Sequence, residues 1–592
     1  MEGRILIRAS VVLALTVLSG LHTDSAAQPL FEEVSAQLGI VNYSTCAVPF
    51  WYDWDLDGDL DLLMGERFYH DLSIYRCDGG QFVRLTNIGL PTQWDGGAFS
   101  ANDFDHDGDL DLFVRSYHTP SPLLVYENGV FVDRTAELGL PWETGDKDYD
   151  WVDYDRDGWT DLLYGHYISG FHLYRNIQGT HFEDVTAQMN LPFINYFGEM
   201  ADADVDLDGD VDLFITTYIG PDFFFVNRGN GVFEDWTAQS GLSGSAGRLD
   251  CRWVDFDHDK YPDLLTQGPN NHTIWHNNGN LTFTEMTVHG TEVSEWGSDY
   301  RFGAWYAVAD FDMDGDYDFY ATRPGNCGTG QQPNQFFIQD SLRGLEIWFH
   351  DVAPRLGMNY MVDGTPTVAD FDGDGDLDLT VPRYDDHVLF FRNLINSQDR
   401  LQVQLEGPGG ERDCWHSRIE VYPHGGAQAL QAVELNTSNV GRNGLSGYFV
   451  LDANGHYDLR VYFPNGTVMT PENCPGLSDV VPSEVGYLLT VQRGLSARPN
   501  TKPAANEFRM EAAYPNPFNA STVIRYAIPA DAPVRLAVYS VLGQHVSDLV
   551  NTPQNAGEHR IAWNASELPS GVYLLRLSTH TNSTVQKIVL MK

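Results

Sequence analysis

A nine-residue pattern, D-x-D-x-D-G-x-x-D, recurs along this chain of 592 residues at Asp53, Asp103, Asp153, Asp204, Asp310 and Asp370, with a seventh copy at Asp255 that lacks only the Gly. The starts lie 50, 50, 51, 51, 55 and 60 residues apart. So regular a period means one supersecondary unit stacked on copies of itself rather than a string of unrelated domains. A second pattern keeps the same beat: FEEVSAQLG from Phe31, FVRLTNIG from Phe82, FVDRTAELG from Phe131, FEDVTAQMN from Phe182, FEDWTAQSG from Phe233, FTEMT from Phe283 and FHDVAPRLG from Phe349. Between the two lies an aromatic strand such as SIYR, LLVYEN, HLYRN or VLFFRN. Each unit thus offers about four short β segments divided by Asp, Gly and Asn turns, the content of one propeller blade. The prediction is an all-β chain with a seven-bladed propeller over residues 28–395. The Phe segment precedes the first acidic loop and none comes after the seventh, so residues 31–35 are expected to supply the outer strand of the blade built around Asp370 and to close the ring without a free edge.

The spacing within each loop also dictates its chemistry. Carboxylates at positions 1, 3 and 5 converge on a tight turn, Gly at 6 permits the reversal, the carbonyl at 7 faces the centre and Asp at 9 completes a shell of hard oxygens, which suits calcium. The predicted ligand sets are Asp53, Asp55, Asp57, Asp59 and Asp61; Asp103, Asp105, Asp107, Asp109 and Asp111; Asp153, Asp155, Asp157, Trp159 and Asp161; Asp204, Asp206, Asp208, Asp210 and Asp212; Asp255, Asp257, Asp259, Tyr261 and Asp263; Asp310, Asp312, Asp314, Asp316 and Asp318; and Asp370, Asp372, Asp374, Asp376 and Asp378. Up to seven ions are expected. An EF-hand is excluded, because position 12 is Met64, Val114, Tyr164, Ile215, Thr266, Ala321 or Val381 and the loop leads into a β run instead of a helix. In the fifth loop Lys260 replaces the Gly and Pro262 stiffens position 8, so that site is expected to be the weakest.

Charge narrows the partners. With 35 Lys and Arg against 83 Asp and Glu the formal charge is −48, which argues against nucleic acid and anionic membrane surfaces. Arg4 and Arg8, an apolar run over 9–21 and Ser25-Ala26-Ala27 read as a signal peptide cut after residue 27, and no later segment is long enough to span a membrane. Export permits disulfides among the six cysteines. Neighbourhood favours Cys46 with Cys77 and Cys414 with Cys474, leaving Cys251 with Cys327, though 15 connectivities are open.

Residues 31–395 resemble the FG-GAP and VCBS repeats of integrin-like propellers, with Phe-Gly present literally at Phe197-Gly198 and Phe302-Gly303. Residues 396–495 resemble the ASPIC/UnbV module of the cartilage acidic protein family through the run from Arg400 to Leu405, VYPHGG from Val421 and VYFPNG from Val461; the usual Gly-Ile-Gly-Ala is replaced by Trp415-His416-Ser417. Residues 496–507 read as a linker. The stretch 508–592 alternates like an immunoglobulin-type sandwich. It resembles the sorting domain of type IX secretion cargo through YPNPFNAST from Tyr514, VYSVLGQ from Val538, LPSGVYLLRL from Leu568 and the terminal KIVLMK. That resemblance implies contact with the type IX machinery and a secreted or outer-surface location; whether the tail is then removed stays open.

No nucleophile elbow, Walker loop, HExxH or dinucleotide fingerprint occurs. The reading is a monomeric calcium-binding module for adhesion or for a glycan or protein ligand. The alternatives are a polysaccharide lyase or hydrolase, and a surface spacer. About five residues past each ninth-position Asp, on the face opposite the acidic loops, come Arg67, Arg115, His166, Thr217, Gln267, Arg323 and Arg383, flanked by Tyr69, Tyr117, Tyr167, Tyr218 and Tyr384. Arg suits carboxylate or sulfate and Tyr stacks on sugar faces. The candidate ligand set is therefore Arg67, Tyr69, Arg115, His166, Tyr167, Arg323, Arg383 and Tyr384, against the plainer reading that these pack locally.

Overall fold

The computed structural model describes residues 30–590 apart from a set of connections, the longest being 41–47, 66–71, 92–97, 243–249, 292–304, 323–332, 408–413, 436–445, 500–507 and 511–520. Residues 1–27, read as a signal peptide, lie outside the described residues. The chain is almost wholly β, and its first part is seven sheets in succession. The first blade runs Val48–Tyr52, Asp61–Gly65, Leu72–Cys77, Phe82–Arg84, each strand antiparallel to the next. Blades two to five repeat this order, beginning at Ala98–Asn102, Asp146–Val152, Phe197–Ala203 and Cys251–Val254. The second strand of each blade is sandwiched between neighbouring sheets, so it reads as a continuous apolar run: Asp212–Thr217, DLFITT, is buried at every position.

Ring closure takes the expected route. Phe31–Glu33 pairs antiparallel with His387–Asn393, placing Phe31 opposite Asn393 at the outer edge of the seventh blade. Phe31 then packs its ring against Phe311 and Phe336 of the sixth blade, at centroid distances of 5.9 and 5.6 Å. The sixth blade departs from the four-strand plan. Thr287–His289 adds in parallel to Glu346–Asp351, giving it a fifth strand that ties it to the blade before.

Blades are also stitched by side chains that precede the loops. Trp51 Nε1 donates to Thr380 Oγ1 at 3.1 Å, Trp151 Nε1 to Ser100 Oγ at 2.7 Å and Trp253 Nε1 to the Ala201 carbonyl at 3.2 Å, each reaching the preceding blade.

Beyond the propeller, two four-stranded sheets enclose a core that includes Leu401, Trp415, Ile419, Phe449, Leu459 and Val491. Cys251 and Cys474 carry free thiols in buried positions. The expected Cys414–Cys474 and Cys251–Cys327 bridges are therefore not formed, and proximity in sequence proves a poor guide because Cys474 serves as an apolar residue of this core. Cys46, and with it the Cys46–Cys77 pairing, lies outside the described residues. The stretch read as a linker opens instead as a strand, Ser496–Pro499, hydrogen-bonded to Leu488–Gln492. The C-terminal unit is a two-sheet sandwich, Arg509–Met510, Ser521–Ile528 and Gly557–Asn564 facing the four strands His545–Gln554, Ala532–Ser540, Gly571–Ser578 and Ser583–Leu590. Among the described residues no helix is long and apolar enough to cross a membrane.

Candidate metal centres on the loop face

Each acidic loop is built by its own hydrogen bonds. In the fourth loop the Asp204 carboxylate accepts from Gly209 N at 3.1 Å, Asp206 from Asp208 N at 3.3 Å and Asp208 from Asp210 N at 2.9 Å. The same bonds recur in the third loop, from Gly158 N to Asp153, Asp157 N to Asp155 and Trp159 N to Asp157. Two left-handed residues make the turn possible, at positions 4 and 6: Leu207 at φ 61° and Gly209 at φ 90°, for example. Lys260 holds position 6 of the fifth loop at φ 84°, so the backbone path survives the loss of glycine at a steric cost of roughly 1–2 kcal/mol. Lys260→Gly relieves that cost but adds about 0.5–1 kcal/mol of backbone entropy to the unfolded chain. A net stabilisation of about 0.5–1 kcal/mol is expected in denaturant unfolding; a destabilised variant would contradict it.

The ninth-position Asp is the keystone between loop and sheet. Asp212 accepts from Asn227 N at 2.8 Å with one oxygen and from Val205 N at 3.3 Å with the other, and is 1% exposed. Asp161, Asp263, Asp318 and Asp378 do likewise with Asn176, Asn277, Gln339 and Asn393. Carboxylates so enclosed resist ionisation. Burial first, then neighbouring carboxylates, pushes Asp310 and Asp370 up to about 7, while burial and Glu434 do the same for Asp204.

These loops fit a hard cation. Ligand oxygens of Asp103, Asp105 and Asp107, and of Asp204, Asp206 and Asp208, lie within 4.8 Å of one another, as do those of Asp153, Asp155 and Asp161 and of Asp310, Asp312 and Asp318. Asp204 Oδ1, Asp312 Oδ1 and Asp370 Oδ1 are buried without a hydrogen-bond partner, an arrangement that is costly unless positive charge enters the loop. In the first loop residues 55–58, including Asp55 and Asp57, lie outside the described residues; Asp53 and Asp59 are half-buried and Asp61 is fully buried.

The loops differ in one respect that the repeat pattern hides. The residue just before the strand amide that binds the ninth-position Asp is Arg175 in the third blade, whose Nη2 lies 2.8 Å from both Asp155 and Asp157. In the seventh blade it is Arg392, 2.8 Å from Asp372, and in the fifth it is His276, with Nδ1 3.2 Å from Asp257 and 3.3 Å from Asp263. A hydrogen bond to Asp263 and the surrounding carboxylates hold His276 up at about 9 despite its partial burial. In the second, fourth and sixth blades the position is buried Val125, Val226 and Ile338. In the first blade, where Cys77 N binds Asp61, the position is Arg76, so four of the seven blades carry a basic residue there.

The next residue was also missed as a functional position. Asn176 Nδ2 donates to the Phe104 carbonyl at 2.8 Å, Asn277 to Val205 at 2.9 Å and Asn393 to Phe311 at 2.8 Å, each crossing to the preceding blade's loop. The recurrent Asn after the aromatic strand, in HLYRN, IWHN and LFFRN, was the available signal.

The middle module docks on this loop face. His416 Nε2 lies 2.9 Å from Asp202 and its Nδ1 3.5 Å from Glu434; Arg418 Nη1 reaches Asp204 Oδ2 at 3.2 Å, and Glu434 accepts from Asp204 N at 3.2 Å. A cavity of about 500 Å³ remains between the sixth and seventh loops and the module, lined by Tyr317, Asp376, Arg400, Gln431 and Tyr448 among others. Burial opposes charge on His416, but the Asp202 and Glu434 carboxylates outweigh it and hold the imidazolium up to about 10. A histidine raised from its usual 6.5 contributes stability that is fully present below about pH 6.5 and is lost as pH rises through the folded value. The melting temperature of the wild type is therefore expected to fall between pH 7 and 10 by more than that of His416→Leu; parallel profiles would contradict the ion pair's role.

On the opposite face the described residues are few. His166 ends the strand Asp161–His166, is 6% exposed and lies along Tyr164, while Arg115 ends Asp111–Arg115 half-buried on the neighbouring blade. Thr217 and Gln267 are buried. Arg383 ends the strand Asp378–Arg383, its side chain outside the described residues, as are Arg67, Tyr69, Tyr117, Tyr167, Tyr218, Arg323 and Tyr384.

Fold and loops together define a seven-bladed propeller of acidic-loop repeats carrying two further β units. Residues 53–114, 204–266 and 255–321 match the FG-GAP-like repeat family, and residues 512–591 match the secretion system C-terminal sorting domain. The chain carries FG-GAP-like repeats and a type IX sorting tail, and its destination is the cell surface or the medium. No curated protein matches it. Among solved structures it is similar to a lectin of Agrocybe aegerita described as recognising non-reducing terminal N-acetylglucosamine, at 16% identity over 50% of this chain and 78% of that one, with a TM-score of 0.34. PorZ, a surface component of the type IX secretion system of Porphyromonas gingivalis, is 12% identical over 90% of this chain and 58% of its own, with a TM-score of 0.31. Sqt1 of Saccharomyces cerevisiae is 10% identical over 60% of this chain and all of its own, with a TM-score of 0.33.

Proposed function

We propose that the exported chain is a calcium-stabilised ligand-binding module, in which the acidic loops hold calcium on one face and the opposite face meets an extracellular glycan or protein. The convergence of all-oxygen donor sets in successive blades carries the calcium reading, since hard carboxylate and carbonyl oxygens at this density are what calcium prefers over softer dications. The loop face is engaged by the middle module through His416 and Arg418, which leaves the opposite face as the surface for a ligand. The Arg and Tyr residues that the sequence sets about five positions past each ninth-position Asp suit bidentate recognition of carboxylate or sulfate and stacking on sugar rings.

The test uses the full mature chain with calcium present. Retention on a panel of immobilised acidic and neutral polysaccharides and on cell-surface protein extracts is compared with that of the Arg323→Ala/Arg383→Ala variant. A loss of about tenfold or more on at least one anionic ligand is expected, each desolvated Arg–anion contact being worth about 1.5–3 kcal/mol. Identical retention throughout would remove the rim from the reading.

A further inference from the structure

The middle module carries a second constellation of metal-ligating side chains, remote in sequence and chemistry from the acidic loops. Three segments meet at one end of its second sheet: the turn after Ser417–Pro423, the start of Tyr457–Tyr462 and the bend at 478–479. They bring together two imidazoles and two carboxylates. His424 Nδ1 lies 2.8 Å from Asp458 Oδ1 and 4.0 Å from Asp479 Oδ1, and His456 Nδ1 lies 2.6 Å from the same Asp479 oxygen.

The framework behind these groups is rigid. His424 N donates to the His456 carbonyl at 2.9 Å, and Tyr457 and Val480 exchange backbone bonds of 2.9 and 2.7 Å. Asp458 is oriented from behind, by Gly425 N at 2.8 Å on one oxygen and Asp479 N at 2.9 Å on the other. Asp479 itself sits at φ 52°, a left-handed conformation that turns its side chain back toward the imidazoles. Backbone donors that fix a ligating carboxylate are the usual supporting shell of a metal centre. An isolated surface ion pair has no such requirement. His350 with Asp340, 2.8 Å apart on the propeller, is a pair of that plain kind.

We propose that His424, His456, Asp458 and Asp479 form a binding site for a transition-metal dication of the zinc class. Two imidazole nitrogens and two carboxylate oxygens make a four-ligand set whose two negative charges neutralise a dication, and imidazole selects zinc-like ions over calcium. The ion fastens together three loops separated by up to 55 residues of chain. The site stands independently of the calcium reading, because it shares no residue with the acidic loops.

The experiment titrates the full chain, stripped with chelator and held in millimolar calcium, with zinc chloride in competition with a chromogenic zinc indicator. The wild type is expected to take up one zinc ion with sub-micromolar affinity. His424→Gln/His456→Gln is expected to lose that ion, with affinity falling by about 100-fold or more, while His350→Gln keeps it. All three substituted histidines are substantially exposed, at 47, 61 and 47%, so the fold is retained, and amide exchange with and without zinc gives a second readout: slowed exchange at 424–425, 456–458 and 479–480 in the wild type alone. Uptake no tighter than that of the double variant, or equal loss in His350→Gln, would reduce the cluster to surface ion pairs and overturn the proposal.

Discussion

Removing calcium is expected to lower the unfolding temperature of the propeller by on the order of 10–20 °C while leaving the C-terminal sandwich, which has no acidic loop, unchanged. Each ion present at about 100 times its dissociation constant contributes about 2.7 kcal/mol. A handful of occupied loops therefore adds about 10 kcal/mol, and in a large domain each kcal/mol shifts the midpoint by about 2 °C. The loops must do more than bind: Asp212, Asp263, Asp318 and Asp378 connect loop backbone to the third strand of each blade, so loss of the ion weakens the sheet as well as the turn. The effect has a defined pH sense. Without metal, burial and crowding raise Asp204, Asp310 and Asp370 to about 7 and Asp255 to about 8, against 3.8 in the unfolded chain. A carboxylate whose folded value is raised holds its proton better when folded, so ionisation penalises the fold and stability declines as pH climbs from about 4 to 8. Calcium is thus expected to stabilise far more at pH 8 than at pH 5. Differential scanning calorimetry with calcium and with EGTA at both values decides it; unchanged melting on chelation would mean the loops are hydrogen-bonded turns. The arginines limit the count, since Arg175 and Arg392 already place positive charge on Asp155, Asp157 and Asp372. Metal analysis should accordingly find the third and seventh loops weaker than the second and sixth, with the fourth between them because Arg418 and Arg156 meet Asp204 and Asp210 there.

The second large effect concerns closure. Phe31→Ala is expected to cost about 3–5 kcal/mol, the usual range for truncating a buried Phe. Phe31 is 5% exposed and touches Phe311 and Phe336 across the seam, while its strand supplies the outer edge of the seventh blade. A chain that starts at residue 41 should fare worse. It leaves the outer edge of His387–Asn393 without its partner strand, a template for pairing with another chain, so aggregation rather than a clean lower-melting monomer is expected. Equal denaturant midpoints for the wild type and Phe31→Ala would show that the ring is held shut elsewhere. Phe283→Ala, which removes the equivalent residue within a blade, provides the comparison: it should destabilise without promoting association.

Most of the architecture was legible because it is periodic. A beat of 50–60 residues, an apolar second strand and an acidic turn can be read one unit at a time, and the phase of the Phe segments even identified residues 31–35 as the closing segment, of which Phe31–Glu33 forms the strand. The features that escaped depend on neighbours from another unit. The fifth strand of the sixth blade, Thr287–His289, has no local pattern that distinguishes it from a loop. The Cys414–Cys474 pairing went wrong because proximity in sequence says nothing about Cα separation and Cys474 is core filling, and Cys251–Cys327, reached by elimination, failed with it. Arg175, His276 and Arg392 meet carboxylates of an earlier strand-to-strand loop, which their own strand's pattern does not show.

The sequence by itself determined the repeat, the number of blades, the acidic turns and the sorting tail, since each derives from short-range spacing and from the covalent order of carboxylates, glycines and aromatic residues. Only the tertiary structure decided that the middle module sits on the loop face through His416 and Arg418, and that His424, His456, Asp458 and Asp479 converge. The reason is physical: those contacts join residues 23 to 214 positions apart, and their energy depends on burial and on which charges meet, which no local pattern encodes.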